Sequence, residues 1–183
     1  MSRREGIKKV FFYGVVTCYV IFLIKLFFLS RVSIFELFDS GRMATRSVNL
    51  IPFNTIIEYI SGKTTNLKDF AFINLVGNIF VFIPLGVYLP LIKKDKSLKS
   101  NFLFIFIACL FVEIIQWVLC IGAADIDDII LNCLGGFIGI LGYKLLRLFI
   151  SDEKKVRTII TVLSSIVGLP VLLYLLFFIS LRL

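Results

Sequence analysis

Polar side chains that could carry chemistry stand in or beside an apolar stretch near the middle of the chain: Glu113, Gln116, Asp125, Asp127, Asp128 and Asn132. Two further amides, Asn74 and Asn78, lie in an earlier apolar stretch. Carboxylates act as acids or bases, and with amide oxygens they form the ligand set that hard divalent cations prefer. The chain contains no histidine, which excludes nucleophile systems and metal sites that depend on one.

The composition places these polar groups in a membrane protein. Hydrophobic residues make up 59% of the 183 residues, and the mean hydropathy is +1.00, whereas soluble domains are about 45–50% apolar. A soluble fold of this size could not bury so much apolar surface, but lipid can cover it. The four cysteines lie in apolar runs without a C-x-x-C pair, which argues against a disulfide framework or a structural zinc site.

Five apolar runs are long enough to cross about 30 Å of hydrocarbon as helices. They cover Val10–Leu29, Ala71–Ile92, Asn101–Ile121, Asp128–Phe149 and Thr158–Ile179. The first run is not followed by the small residues of a signal-peptide cleavage site, so we count it as a span. We therefore predict an all-α, polytopic integral membrane protein that forms a single membrane domain over residues 1–183.

The basic residues predict how these spans are oriented. Thirteen precede the first span, connect the second to the third, or surround the link from the fourth to the fifth: Arg3, Arg4, Lys8, Lys9, Lys93, Lys94, Lys96, Lys99, Lys144, Arg147, Lys154, Lys155 and Arg157. Six lie on the opposite side: Arg31, Arg42, Arg46, Lys63, Lys68 and Arg182. Because cytoplasmic loops are rich in Lys and Arg, we predict a cytoplasmic N-terminus, an external C-terminus, and external residues 30–70 and 122–127. The net charge of +8 is then a topology signal and no indication of nucleic-acid binding.

The long external connection contains a predicted element of its own. Its stretch RSVNLIPFNTIIEYI (46–60) has a proline turn followed by Thr55-x-x-Glu58, a capping-box pattern ahead of an apolar run. This pattern predicts a short helix lying on the outer membrane surface. A loose polar loop is the alternative.

The predicted topology brings the polar groups to one depth. The second span runs inward and the third outward, so Asn74 and Asn78 lie in the outer half of the membrane together with Glu113 and Gln116. Within each pair, a spacing of four or three residues puts both side chains on one helix face. The fourth span starts outside, beside its aspartates. We therefore predict a polar pocket in the outer half of the membrane. Its ligand-binding side chains lie within the spans or just before the fourth one: Asn74, Asn78, Gln116, Asp125 and Asn132.

A carboxylate inside the membrane is the strongest indication of a function. A charged group at the bilayer centre costs about 2.5–3.5 kcal/mol even on insertion scales, and such residues are functional candidates by default. Glu113 and Asp128 are the candidates for acid–base chemistry, and Asp128 with Asp125 for holding a divalent cation. The alternative is that the polar side chains only hydrogen-bond the helices together. Asp125 and Asp127, considered alone, are typical of solvated loop residues.

Small residues follow the polar groups along the fourth span. Asp128, Asn132, Gly135, Gly139 and Gly142 are separated by alternating steps of four and three, so they form one stripe. Gly135-x-x-x-Gly139 is the close-packing pattern of membrane helices. We therefore predict that Gly135, Gly139 and Gly142 pack this helix tightly against a neighbour, while the polar end of the stripe opens into the pocket.

Four stretches together resemble the VanZ-like family: RSVNLIPFNTI (46–56), NLVGNIFVFIPLG (74–86), EIIQ (113–116) and DIDDIILNCLGGFIG (125–139). Each is weak alone, but their order and spacing over about residues 46–142 make the match specific. The resemblance implies a bacterial cell-membrane protein linked to resistance to glycopeptide antibiotics of the teicoplanin type. It marks as motif positions Asn74, Asn78, Pro84, Gly86, Glu113, Gln116, Asp125, Asp128, Asn132 and Gly135.

The chain departs from the family pattern just before the aspartates. Where many members carry a basic residue, it has Gly122-Ala123-Ala124. If that basic residue binds an anionic ligand in relatives, Arg42 or Arg46 of the outer loop would have to replace it, or the ligand differs.

Three functions are compatible with these observations. The resemblance favours a resistance factor that binds or masks an envelope lipid or cell-wall precursor, or alters the surface that lipoglycopeptides engage. The second is a membrane enzyme acting on an envelope lipid or polyprenyl-linked substrate with the help of a divalent cation, which would show cation-dependent activity on purified lipid. The third is a small transporter, which is disfavoured because the chain has no visible internal repeat.

Overall fold

The computed structural model describes residues 3–29, 47–54, 57 and 68–180, and among these the side chains of 3–29, 47–54, 57, 75–168 and 170. Within these residues, four helices are long and apolar enough to cross a membrane: Arg3–Leu29, Leu75–Lys93, Leu98–Val118 and Ile126–Phe149. Each overlaps one of the first four predicted spans. The prediction of a helical membrane protein is therefore confirmed.

The described elements are helices and two short strands. The helices are α1 (Arg3–Ile24, continued by a π-helical turn at Lys25–Leu29), α2 (Lys68–Lys93), α3 (Leu98–Val118), α4 (Ile126–Phe149) and α5 (Glu153–Ser180). Two short strands, β1 (Val48–Asn49) and β2 (Ala124–Asp125), pair in parallel.

Two predicted elements depend on residues whose description is incomplete. The fifth predicted span falls within α5, where side chains are described only as far as residue 170, so a fifth span stays a prediction. In the outer loop, the Ile57 N–H donates to the Phe53 carbonyl at 2.8 Å, as in one helical turn. Thr55 and Glu58, which carry the capping-box pattern, lie outside the described residues, and the interfacial helix also stays a prediction.

The chain divides into two compact units, Met1–Leu26 with Lys144–Leu183, and Phe27–Tyr143. In the first unit, α1 packs against α5, with Phe12, Val156 and Ile160 in the buried core. The second unit contains the strands, α2, α3 and most of α4, and it holds every described residue of the predicted pocket.

Helices α2 and α4 contact each other through their backbones. A Cβ atom added to Gly135 would lie 2.0 Å from the carbonyl oxygen of Ile79, and one on Gly139 would lie 2.1 Å from that of Ile83. Both contacts advance by four residues along each helix, so the two helices run parallel. Only glycine allows so close an approach, which is the property of small residues that membrane helices use for packing.

Two other glycines complete the packing, and one does not take part. A Cβ on Gly86 of α2 would lie 2.0 Å from the carbonyl oxygen of Gly136, while one on Gly136 would lie 2.6 Å from the Ile105 side chain of α3. Gly142 was expected in the same packing stripe, but a Cβ added to it would meet no described atom within 4 Å, and the residue is exposed. Within the described residues the close contact therefore ends before Gly142, as it does where two helices cross at an angle.

Helix α3 ends three residues before the predicted boundary at Ile121, because a cap turns the chain. The N–H of Ile121 donates to the Gln116 carbonyl (3.0 Å), and the N–H of Cys120 donates to the Trp117 carbonyl (3.2 Å). Cys120 has a φ of 53°. These features define a Schellman cap with a residue other than glycine in the left-handed position. The turn lets β2 begin at Ala124, close to the end of α3.

Candidate functional site

The outer-loop stretch is joined to the aspartate stretch by a two-residue strand pair. Val48 lies opposite Ala124 and Asn49 opposite Asp125. The Asn49 side chain strengthens the pair, because its Nδ2 lies 3.3 Å from each carboxylate oxygen of Asp125. So short a ladder is weak by itself, and the amide–carboxylate contact ties the two stretches together through side chains.

Glu113 connects the third helix to this strand pair. Its Oε2 accepts a hydrogen bond from the Asp125 N–H at 3.1 Å, and the residue is only 3% exposed. Asp125 in turn accepts the N–H of Asp127 at 2.9 Å. A carboxylate that accepts a backbone N–H makes a hydrogen bond about twice as strong as a neutral one. The end of α3, strand β2 and the start of α4 are therefore held by one chain of contacts.

Asp127 is buried, contrary to the expectation that it is a solvated loop residue. It is 1% exposed, and its Oδ1 accepts the N–H of Phe53 from the outer-loop stretch. Phe53 has a φ of 65°, a left-handed conformation that costs a bulky residue about 1–2 kcal/mol. The contact with Asp127 helps to hold this backbone, and backbone held in sparsely populated conformations is concentrated at functional sites.

Asp128 joins the fourth helix to the second. The Asn78 Nδ2 donates to Asp128 Oδ1 at 2.6 Å, above the glycine contacts of Gly135 and Gly139. Two of the motif positions are therefore in direct contact across the helix pair. Asn74 lies one turn before Asn78 in α2, but its side chain is outside the described residues, as are Arg42 and Arg46.

Two buried amides lie deeper in the same unit. Gln116 is 2% exposed, and its Nε2 donates to the carbonyl of Phe27 at 3.0 Å. Asn132 is fully buried, and neither its Oδ1 nor its Nδ2 has a hydrogen-bond partner among the described residues. Leaving a buried polar group without a partner costs about 1–3 kcal/mol, so a further polar group in contact with Asn132 would be stabilising.

The carboxylates are arranged as hydrogen-bond acceptors. Glu113, Asp125, Asp127 and Asp128 each accept at least one N–H from a backbone or side-chain amide. In the described part of the chain, no group of three or more carboxylates or thiols is placed to hold a metal ion. Divalent cations such as Mg²⁺ and Ca²⁺ take six or more oxygen ligands, and the described residues do not complete such a set around Asp125 and Asp128.

Two contributors to the site had no assigned role in the sequence analysis. Asn49 lies within the outer-loop stretch, but only its strand pairing reveals that Asp125 is its partner. Asp127 was expected to be a solvated loop residue because it precedes the predicted fourth span, which begins at Asp128. The sequence did mark both positions in one way, because each lies inside a stretch that resembles the VanZ-like family.

Comparison with known proteins identifies the family of the chain. The model of the family described as VanZ/LLP1 matches residues 15–147. Protein VanZ of Enterococcus faecium is 33% identical over 150 residues, which cover 81% of this chain and 83% of that protein. No solved structure matches the chain significantly. With the family model matching most of its length, and a relative of this identity covering most of both proteins, the chain belongs to the VanZ/LLP1 family.

Proposed function

We propose that the chain confers or modulates resistance to glycopeptide antibiotics of the teicoplanin type through a polar site at the outer membrane leaflet. The observation that carries this proposal is the convergence of the four resembling stretches on one hydrogen-bonded network. Asn49, Asn78, Glu113 and Asp128 come from four separate segments, and each is joined to another segment within the network. The similarity to Protein VanZ supports the same function.

The direction of the helices and the positions of the basic residues support the outer location. The network lies where α2 begins, α3 ends and α4 begins, at the end of the second unit opposite to the α2–α3 connection. That connection carries Lys93, Lys94 and Lys96, and such clusters favour the cytoplasmic side. With α5 as a fifth span, the N-terminus is cytoplasmic and the C-terminus external.

The chemistry of the network favours binding over catalysis. Its carboxylate and amide oxygens offer acceptors to a ligand that carries N–H or O–H groups, and charge-assisted hydrogen bonds of this kind are the stronger ones. A lipid-linked cell-wall precursor, another envelope lipid or a lipoglycopeptide would present such groups at the membrane surface. In this proposal Glu113 and Asp128 bind the ligand together, with Asn132 as a deeper polar contact.

Expression in a glycopeptide-susceptible bacterium tests the proposal. Cells carrying the chain should require a higher inhibitory concentration of teicoplanin than cells with the empty vector, measured at a verified membrane level of the protein. A non-lipidated glycopeptide is the comparison that separates action at the membrane surface from general loss of antibiotic access. Unchanged teicoplanin susceptibility in cells with abundant membrane-inserted protein would contradict the proposal.

The orientation is tested by cysteine labelling from outside intact cells. In a background without accessible native cysteines, Lys63→Cys should react with a membrane-impermeant thiol reagent, because residues 30–70 are external in the proposed topology. Lys96→Cys should react only after the cells are permeabilised, because the basic α2–α3 connection is cytoplasmic. The reverse pattern would put the polar network on the cytoplasmic side.

A further inference from the structure

A cavity lined by basic and apolar side chains lies in the first unit, between the beginnings of α1 and α5. Its volume is about 280 Å³. Four of its lining side chains are basic, and one is acidic: Lys8, Lys9, Lys154, Arg157 and Glu5. The cavity shares no residue with the hydrogen-bonded network of the proposed site, and the proposed function does not involve it.

The positive charge of this cavity is only partly neutralised by the protein. Lys154 forms an ion pair with Glu5, and Arg157 lies 3.4 Å from a carboxylate oxygen of Glu153. In the part of the chain that the structure describes, no carboxylate lies within ion-pair distance of Lys8 or Lys9. The cavity therefore retains two cationic side chains that are free to bind an anion.

Three of the lining side chains are held by contacts within the protein. The Arg157 guanidinium lies 5.7 Å from the centre of the Phe12 ring, which is 1% exposed, so a cation–π contact holds it in place. The hydroxyls of Thr158 and Thr161 donate to carbonyls one turn earlier in α5, at 2.9 and 2.7 Å. Thr158 and Thr161 line the cavity together with the basic side chains.

We propose that this cavity holds the phosphate of an anionic phospholipid headgroup. A phosphate anion could also come from a soluble metabolite, but the surroundings favour lipid. The cavity lies at the basic end of a candidate spanning helix, Arg3–Leu29. Phe11 and Val162 also line it and are exposed apolar side chains, so they can contact the glycerol and upper acyl chain. Basic pockets between membrane helices on the cytoplasmic side are known to bind anionic headgroups.

Native mass spectrometry of the purified full-length protein tests this inference. The protein is incubated with phosphatidylglycerol or phosphatidylcholine of the same chain length, and the fraction that retains lipid is measured. The wild-type protein should retain phosphatidylglycerol strongly in preference to phosphatidylcholine. The double variant Lys8→Gln/Lys9→Gln should weaken this retention by about fivefold for each basic residue removed, with an unchanged circular dichroism spectrum.

The control removes the same charge outside the cavity. Lys155→Gln/Lys96→Gln replaces two exposed lysines that do not line it, and phosphatidylglycerol retention should stay at the wild-type level. Equal retention of the two lipids by the wild-type protein, or equal loss in both double variants, would overturn the inference. So would displacement of phosphatidylglycerol by glycerol 1-phosphate at similar concentrations, because the site would then bind a soluble phosphate.

Discussion

Replacing Gly139 by alanine should destabilise the protein strongly, although the change adds only one methyl group. The new Cβ would lie 2.1 Å from the Ile83 carbonyl oxygen and 2.9 Å from the Gly86 Cα. Both are backbone atoms, so no side-chain rotation can relieve the clash, and α2 and α4 have to separate. Overpacking of this kind costs typically about 1–3 kcal/mol. Thermal unfolding of the detergent-purified variant should occur at a clearly lower temperature, with a reduced membrane level.

Gly142→Ala is the matched control on the same helix. No described atom lies within 4 Å of the added Cβ, and alanine is a better helix former than glycine by up to about 1 kcal/mol. This variant should therefore be as stable as the wild-type protein or slightly more stable. Equal stability of the Gly139 and Gly142 variants would show that α2 and α4 are not in backbone contact.

The same packing supports the polar network. Gly135 and Gly139 fix the separation of α2 and α4 just below the hydrogen bond from Asn78 to Asp128, which is 2.6 Å long. A small increase in the separation of the helices would break this bond. Gly139→Ala should therefore lose function as well as stability, so it tests the fold, and charge-neutralising variants are needed to test the site.

The sequence predicts the parts of this architecture that depend on helix periodicity. Apolar length locates the four candidate spans, and the spacing of Asp128, Gly135 and Gly139 predicts that all three face one neighbour. Both properties are local, because every residue of a helix has a fixed direction relative to the axis. The extent of the stripe is different, since the loss of contact at Gly142 depends on how two helices cross.

The connections between helices were the least predictable part of the site. The burial of Asp127 and the pairing of Asn49 with Asp125 arise from a two-residue strand pair between segments distant in sequence. So short a pair has no alternating pattern to recognise it by. The early end of α3 depends on Cys120 in a left-handed conformation, a position where the usual sequence signal is glycine.

Neutralising either candidate carboxylate should abolish function while preserving the fold. Glu113→Gln keeps a carbonyl oxygen that can accept the Asp125 N–H, and Asp128→Asn keeps one that can accept the Asn78 amide. Each substitution removes a charge whose burial near the membrane is unfavourable, so a purely structural carboxylate should tolerate the change. If Glu113 and Asp128 bind the ligand through their charge, both variants should be well expressed and folded, but confer no resistance.

A carboxylate outside the network provides the control for these substitutions. Asp152→Asn replaces an exposed residue whose Oδ1 accepts the Lys154 N–H at 2.9 Å, and asparagine can accept the same bond. Cells that express this variant should be as susceptible to the glycopeptide as cells that express the wild-type protein at the same membrane level. Loss of resistance in this variant would mean that the assay responds to any loss of negative charge.

The most direct test of the proposed site is the teicoplanin susceptibility of the double variant Glu113→Gln/Asp128→Asn. It should be measured beside both single variants at matched membrane levels. Residues that act as a unit are strongly non-additive, so the double variant should be no more susceptible than either single variant, and all three should match cells without the protein. Resistance at the wild-type level in all three would show that these carboxylates only hold the helices together.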